Sequence, residues 1–467
     1  MTRPILIASL ALMTTACASM QHEPAPALEA ETGPVWTEYL QASAIHASET
    51  APPVWETLDD PVFQSLLARL DDSNLDLAVA RTRLAEARAI QRADEAGLGP
   101  VVGRSASVTA QRISETGSLP AGQIPGFETE QILYEAGFDA SWEIDFFGRK
   151  DAQRALSAAN VALAEEQVDA VRFALKADLM RAYVDAIASQ REYALIQQAT
   201  ERQKALFDAA ITRREYGEAS DLDVERAEAA LIAYRTRIAP LESAARTSLY
   251  RLAVLVGEAP GTFQVTLPGD LPAMAPLAID LNSTLLRQRS DVRQAEIAYV
   301  QAARASDIAE LDLYPRFSLF GGGGPGTTDF AKFLDPASLA LNLGAMVDWT
   351  LFDGGRKAAL AEASTSRLDR AEAEYSAAVL SAMQDIETSA ATWLKARAVL
   401  AEQEKATLTR ARLAQMATAR FDAGTGTRIG ILEAERDLAE ARLAEADAKA
   451  GELTARIALD KALGSDR

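Results

Sequence analysis

Twice in this sequence the chain runs for 68 residues, from Arg149 to Tyr216 and from Arg356 to Ala423, without a glycine or a proline. Both stretches are rich in Ala, Glu, Arg and Leu, residues that lose little on entering a helix. In the second, Leu368, Tyr375, Val379, Ile386, Trp393, Leu400 and Leu408 recur at nearly seven-residue steps, which predicts a coiled-coil seam. A helix of that length measures about 100 Å at 1.5 Å per residue. No ordinary globular domain accommodates two of them. Gly217 and Gly424 follow as reversal points, with return helices predicted at about 218–256 and 427–463.

The two stretches belong to an internal repeat. Trp142-Glu-Ile-Asp-Phe-Phe-Gly-Arg149 recurs as Trp349-Thr-Leu-Phe-Asp-Gly-Gly-Arg356 at an offset of 207 residues. The same offset takes Arg213–Gly217 to Arg420–Gly424, Leu252 to Leu459 and Gly257 to Gly464. Upstream, Leu98-Gly-Pro100 pairs with Leu313-Tyr-Pro315 at an offset of 215, so the loop between is longer in the first copy. The repeats fill about 73–257 and 281–467, with helices expected around 73–98 and 281–312. Pro260, Pro268, Pro272 and Pro276 mark a linker at 258–280. Pro240 has no counterpart at Asp447, so a kink is expected in the first return helix only.

Just before each long helix lies a strand with strict alternation. Ile132, Tyr134, Ala136, Phe138, Ala140, Trp142, Ile144 and Phe146 share one face at 131–147. Leu339, Leu341, Leu343, Ala345, Val347, Trp349 and Leu351 do so at 338–353. Weaker partner strands are predicted at 101–113 and 315–324, the latter blurred by Gly321–Gly324. The longer pair exceeds the roughly 9–11 residues that a tilted strand needs to cross a bilayer. Trp142 and Trp349 suit an interfacial aromatic girdle. Four strands cannot close a barrel, and lipid does not tolerate an open edge. Closure is therefore expected from several copies of the chain, and three would leave a lumen.

Composition removes whole classes of function. Of 467 residues, 67 are acidic and 47 basic, a formal charge of −20 that argues against a nucleic-acid partner. Two histidines, His22 and His46, and one cysteine, Cys17, leave nothing for a zinc cage, a Cys–His nucleophile pair or an intrachain disulfide. Gly321–Gly324 lacks the Lys-Ser/Thr of a phosphate loop. No catalytic residue, cofactor or metal is expected, and an enzyme built on paired carboxylates loses to solvated helix faces as the reading of the acidic residues.

The N-terminus reads as an export signal: Arg3, the apolar run Pro4–Met13, then Thr14-Thr-Ala-Cys17. The last four residues resemble the lipobox of bacterial lipoproteins, with Thr14 where Leu is usual. That resemblance implies removal of residues 1–16 and acylation of Cys17, followed by a lipidated periplasmic segment at 17–72. Ala18, rather than Asp, after the cysteine is compatible with outer-membrane sorting.

Together with Arg287-Gln-Arg-Ser-Asp-Val-Arg-Gln-Ala-Glu296, Leu313–Phe317 and Arg420–Glu433, these motifs resemble the TolC-like outer-membrane efflux family, in its OprM/NodT-type lipoprotein branch. Ser290 stands where that family usually has proline. The resemblance implies a mainly α-helical fold with a membrane β-barrel portion, four strands and two helical hairpins per protomer, assembled as a homotrimer. It implies an outer-membrane exit duct whose helical tunnel lies in the periplasm, partnered by an adaptor protein and an inner-membrane pump, most naturally of the resistance–nodulation–division type. A duct for type I protein secretion is the alternative within the family. A periplasmic adaptor lipoprotein is the alternative outside it, and would carry one hairpin rather than two copies. The turns hold the gate candidates: Tyr216, Gly217, Asp221 and Asp223 in one copy, Phe421, Gly424, Arg428 and Glu433 in the other. Asp221 and Arg428 are equivalent at the 207 offset, so an ion pair between neighbouring hairpins is expected. Glu433 matches the acidic residues that family channels carry there, while Gly426 and Gly430 stand where some relatives carry charge.

Overall fold

The computed structural model describes residues 52–114, 128–274, 277 and 284–464. Cys17 and the export signal lie outside them, as does most of the first interstrand loop. In chain order the elements are α1 (Val54–Thr57), α2 (Pro61–Ser73), α3 (Leu75–Gly97), β1 (Val101–Arg112), β2 (Glu130–Ile144), α4 (Arg149–Glu215) and α5 (Asp221–Leu255). Then come α6 (Thr284–Arg287), α7 (Ser290–Leu311), β3 (Arg316–Thr327), β4 (Leu339–Asp348), α8 (Arg356–Asp422) and α9 (Arg428–Leu463). Two 3-10 turns, Phe330–Lys332 and Pro336–Ser338, join β3 to β4. The repeat is plain in the element lengths: α4 and α8 each have 67 residues, and α5 and α9 have 35 and 36.

Several expected boundaries move, each for a local reason. β2 stops at Ile144 and β4 at Asp348, short of 147 and 353, so Trp349 and Leu351 follow the strand rather than belong to it. Beyond β2, the Asp145 carboxylate accepts from the amides of Gly148, Arg149 and Lys150 at 2.8–3.0 Å, capping α4. Asp353 accepts from Gly355 and Lys357 at 3.0 Å before α8. β3 extends through its glycines to Thr327. The helix expected around 73–98 is α3, which begins at Leu75 because Asn74 caps it: the Asn74 side-chain oxygen accepts from Leu77 N at 3.0 Å. α5 runs continuously through Pro240.

The residues fall into two compact units, each with its own packing. One comprises the sheet with Leu84–Leu163 and Glu296–Ala373. Its helices bury Tyr299, Ala303, Leu368 and Ala371 against one another. The other comprises 52–83, Ala164–Ala295 and 374–464. There α8 presents Tyr375, Val379, Ala382, Ile386, Ala390 and Trp393 to Leu286, Val292, Leu459 and Leu463. The seam then continues in true sevens through half-buried Leu400 and Thr407 to buried Ala414. Leu408, expected on that stripe, is exposed. Thr407 holds the position instead by donating its hydroxyl to Ala441 O at 3.2 Å. Hydrophobicity suggested the wrong neighbour; the 3.5-residue period selects the right one.

Three buried polar contacts tie the second unit together. Tyr183 packs at 5.3 Å from Phe63 and donates to Asp60 at 2.6 Å, while Asp60 also caps α2. Arg289, in the motif at the start of α7, reaches Asp291, Asp385 and Ala462 O at 2.6–3.0 Å. Arg456 and Asp460, side chains 6% and 4% exposed, pair at 2.9 Å on α9. Asp460 also accepts from Val54 N at 3.0 Å, and burial pushes its carboxyl above the usual range. Replacing Asp460 by alanine removes the carboxylate that a buried guanidinium and a buried amide both donate to, so a loss of about 3–5 kcal/mol is expected. Circular-dichroism melts of Asp460→Ala, Asp460→Asn and the parent protein measure it, with the asparagine variant falling between.

Candidate functional site

The sheet is antiparallel in the order β1-β2-β3-β4. Directly paired residues in such a sheet project to the same side, so the register decides what each face carries. Phe138 pairs with Arg104 on β1 and with Gly323 on β3; Gly323 pairs with Leu341. Trp142 pairs with Leu319, and Leu319 with Ala345. The apolar alternations of the two repeats therefore fall on one face, joined by Val102 and Val108 from β1. The opposite face carries Ser105, Ser107 and Thr109, then Glu135, Asp139 and Glu143, and then Ser318, Asn342 and Asp348. No residue of the four strands is buried. Val102, Leu341 and Leu343 stand open to the surroundings. A water-soluble sheet hides such a face, whereas lipid accepts it.

Aromatic rings bracket that apolar band. At one end Tyr134 lies 5.2 Å from Phe330, which stacks on Phe333 at 6.0 Å. At the other, Phe317 meets Phe146 at 4.9 Å and Phe147 meets Tyr314 at 5.0 Å. Tyr134 and Ile144 are ten residues apart on β2, roughly 33 Å along a strand and about 25 Å in height at a 40° tilt. That is the height of a membrane barrel's apolar band.

Trp142 and Trp349 sit at the junction between strands and long helices, about half exposed. The Lys150 ammonium lies 5.7 Å from the Trp142 ring centre and donates to Leu98 O. In the second copy Lys357 donates to Asp312 O at 3.0 Å, and the Trp349 indole donates to Leu313 O at 3.1 Å. One lysine per repeat thus satisfies a carbonyl at the end of the preceding helix.

The helix turns are built differently in the two copies. Gly217 and Gly424 close them at φ of 73° and 71°, where a side chain would be strained. At the first turn Ser220 and Asp223 form a reciprocal cap: Asp223 N donates to the Ser220 hydroxyl at 3.2 Å, and Ser220 N to the Asp223 carboxylate at 3.0 Å. Asp221 pairs with Arg214 of its own turn at 2.7 Å. At the second turn Thr427 caps α9 by accepting from Gly430 N at 3.1 Å. A Cβ on Gly426 would lie 2.8 Å from Phe421 N, so the backbone leaves no room there for the charge some relatives carry. Tyr216, Phe421, Arg428 and Glu433 are exposed. Among the described residues no ion pair is formed by Arg428 or Glu433.

One bridge between the hairpins escaped the sequence reading. Tyr234 on α5 donates its hydroxyl to Glu440 on α9, and Arg202 on α4 meets Glu435 at 3.3 Å. Ile196, Ala199 and Tyr234 pack there with Ile238, Leu241, Ala439 and Leu443. Burial, then the Glu440 carboxylate, raises the Tyr234 phenol far above its ordinary value, so it remains a donor at physiological pH. The repeat could not reveal this bridge, because it joins unlike positions of the two copies.

The cap at the first turn has a defined acid response. Hydrogen bonds from the Ser220 amide and hydroxyl hold the Asp223 carboxyl below the usual carboxylate range. Its contribution is therefore complete above the unfolded value near 3.9 and is lost as pH falls through the lower folded value. Hydrogen exchange of the α5 N-terminal amides should stay slow at pH 5 and accelerate only below pH 4, and Asp223→Asn should abolish that step.

Comparison with known proteins places this geometry. The family model described as outer membrane efflux protein matches residues 66–258 and 281–465. The pyoverdine export outer membrane protein OpmQ of Pseudomonas aeruginosa is 26% identical over 460 residues, covering 98% of this chain and 95% of the relative. The fusaric acid resistance protein FusA of Burkholderia cepacia is 27% identical over 364 residues, covering 76% of this chain and 68% of its own. The solved outer-membrane channel OprN superposes with a TM-score of 0.83 at 28% identity, over 95% of this chain and 98% of its own. A mainly helical protein with a small antiparallel sheet, a channel component and not an enzyme, this chain belongs to the outer membrane efflux protein family.

Proposed function

We propose that three copies of this chain form the exit duct of a tripartite efflux assembly, supplied by an inner-membrane pump of the resistance–nodulation–division type through a periplasmic adaptor. One observation carries the reading: a sheet of membrane-barrel height whose outer strands β1 and β4 each keep one edge free of any strand among the described residues. In hydrocarbon each unpaired backbone group costs several kcal/mol. Two copies would close eight strands around a lumen filled by side chains; three close twelve and leave a passage. The polar sheet face then lines the passage, and Trp142 and Trp349 sit at the periplasmic lipid boundary. The hairpins α4–α5 and α8–α9 supply the periplasmic tunnel, each long helix about 100 Å in length. Residues 1–16 act as the signal, Cys17 carries the lipid, and 258–280 link the two repeats. Native mass spectrometry of detergent-extracted protein should give a trimer whose subunits begin at acylated Cys17. A stable monomer would overturn the shared barrel, and an unmodified N-terminus elsewhere would overturn the anchor.

The gate is assigned to the turns. Asp223 is engaged in its cap and Asp221 in its pair with Arg214, so of the four charged gate candidates Arg428 and Glu433 are the two with no ion pair among the described residues. An exposed pair there is worth at most ~1 kcal/mol, but three copies act together. Neutralising both, Arg428→Gln with Glu433→Gln, should raise single-channel conductance in planar bilayers and weaken cation preference. Unchanged conductance and selectivity, with the trimer intact, would place the constriction elsewhere.

A further inference from the structure

The 207- and 215-residue offsets of the repeat carry strand register as well as sequence. Moving β1 by 215 and β2 by 207 turns the pairs Val101↔Ser141, Val102↔Ala140 and Ala110↔Ile132 into Arg316↔Asp348, Phe317↔Val347 and Pro325↔Leu339. Those are pairs that β3 and β4 form. The two strand pairs are one arrangement built twice. Between them stands a different join, β2 against β3, where the second strand of one repeat meets the first strand of the next.

The same offsets turn that join into β4 against a β1. β2 runs three residues beyond its pairing with β1, and these three, Trp142, Glu143 and Ile144, pair with Leu319, Ser318 and Phe317 of β3. Their counterparts Trp349, Thr350 and Leu351 keep the alternation but lie past the end of β4. The partners assigned to them by the offsets are Arg104, Gly103 and Val102. Further along, Ala345 meets Val108 on the apolar face, and Met346 meets Ser107 on the polar one. Apolar residues thus continue to face apolar residues, which a slip of one residue would reverse. β1 stands at the opposite end of its own sheet from β4, so the β1 in question belongs to another copy.

Two side chains support the same register. Arg104 shares the apolar face with Phe138 and forms no ion pair among the described residues. A guanidinium on a lipid-facing strand is costly away from the interface. The Lys150 ammonium lies 5.7 Å from the Trp142 ring centre, whereas no cation among the described residues stands over Trp349. The Trp349 indole is nevertheless held, donating to Leu313 O at 3.1 Å. Transferred register sets these two residues opposite each other, and an arginine against an indole face is a favourable pair.

We infer that β4 of each copy pairs with β1 of the next in this register, extending through Leu351, and that Trp349 receives Arg104 of the partner subunit. This deepens the reading of the chain as a trimeric duct and rests on it. The ring then closes with a join already present inside each copy.

The test traps the join by disulfides in the detergent-extracted trimer. Directly opposed Cα atoms in antiparallel strands lie about 4.5–5.5 Å apart, within disulfide reach, whereas diagonal ones at about 7–8 Å do not. Met346→Cys with Ser107→Cys should give covalent dimers and trimers on denaturing gels after mild oxidation, against the parent protein as background. Met346→Cys combined with Ser105→Cys or with Thr109→Cys should do so several-fold less. Arg104→Gln should lower the trimer's dissociation temperature by a few degrees, yet leave it unchanged in a Trp349→Ala background. A shifted pair that links best, or no link from any combination in an intact trimer, would overturn the register. Equal losses from Arg104→Gln in both backgrounds would overturn the contact. A parent protein that is monomeric by native mass spectrometry would instead overturn the duct reading, and this join with it.

Discussion

Unpaired backbone in hydrocarbon is the constraint from which the rest follows. A sheet with an apolar face about 25 Å high belongs in lipid, yet among the described residues no strand pairs with the outer edge of β1 or of β4. Lipid offers them no hydrogen bonds. Only strands from further copies can do so without breaking the alternation that makes the face apolar. Oligomerisation is therefore a condition of the fold in its membrane, and the lumen is what remains once the edges are paired. The polar residues of the same strands, Ser105, Asp139 and Asn342 among them, then become the lining by default.

Each strand pair is delivered into a helix by the same small set of contacts. Asp145 and Asp353 turn the chain by gathering amides at the helix starts. Lys150 and Lys357 hold carbonyls at the ends of the preceding segments. Arg149 adds a bond to Asp312 at 2.9 Å, which Arg316 shares. These contacts make the junction a fixed corner, at which Trp142 and Trp349 stand about half exposed.

The two repeats are alike where they build the scaffold and unlike where they meet each other. Element lengths agree, and Gly217 and Gly424 close their turns in the same conformation. Yet Asp221 finds its partner within its own turn while Arg428 forms no ion pair among the described residues, and Tyr234 bridges to Glu440 where the equivalent sites hold Ala441 and Ala233. Pro240 adds to the difference, since only α5 lacks an amide at mid-length. Duplication alone would give six equivalent hairpins in a trimer. These departures give two kinds.

The two glycine- and proline-free stretches, the 207-residue offset and the period-2 runs were enough to state two hairpins, four strands and a membrane-facing sheet. Periodicity is a property of local sequence, and it survives into the fold wherever one side of an element meets one environment. Exact ends did not follow from it: alternation continues past Ile144 and Asp348 because aromatic and apolar residues are wanted at the lipid boundary whether or not the backbone is still a strand. Leu408 likewise satisfied hydrophobicity but not the seven-residue step that buries Ala414. The Tyr234–Glu440 bridge, the recess at Gly344 beneath Phe320 and the burial of the Arg456–Asp460 pair were legible only in three dimensions. Each depends on which strands or helices become neighbours, and that choice is made by register and packing between segments far apart in the chain.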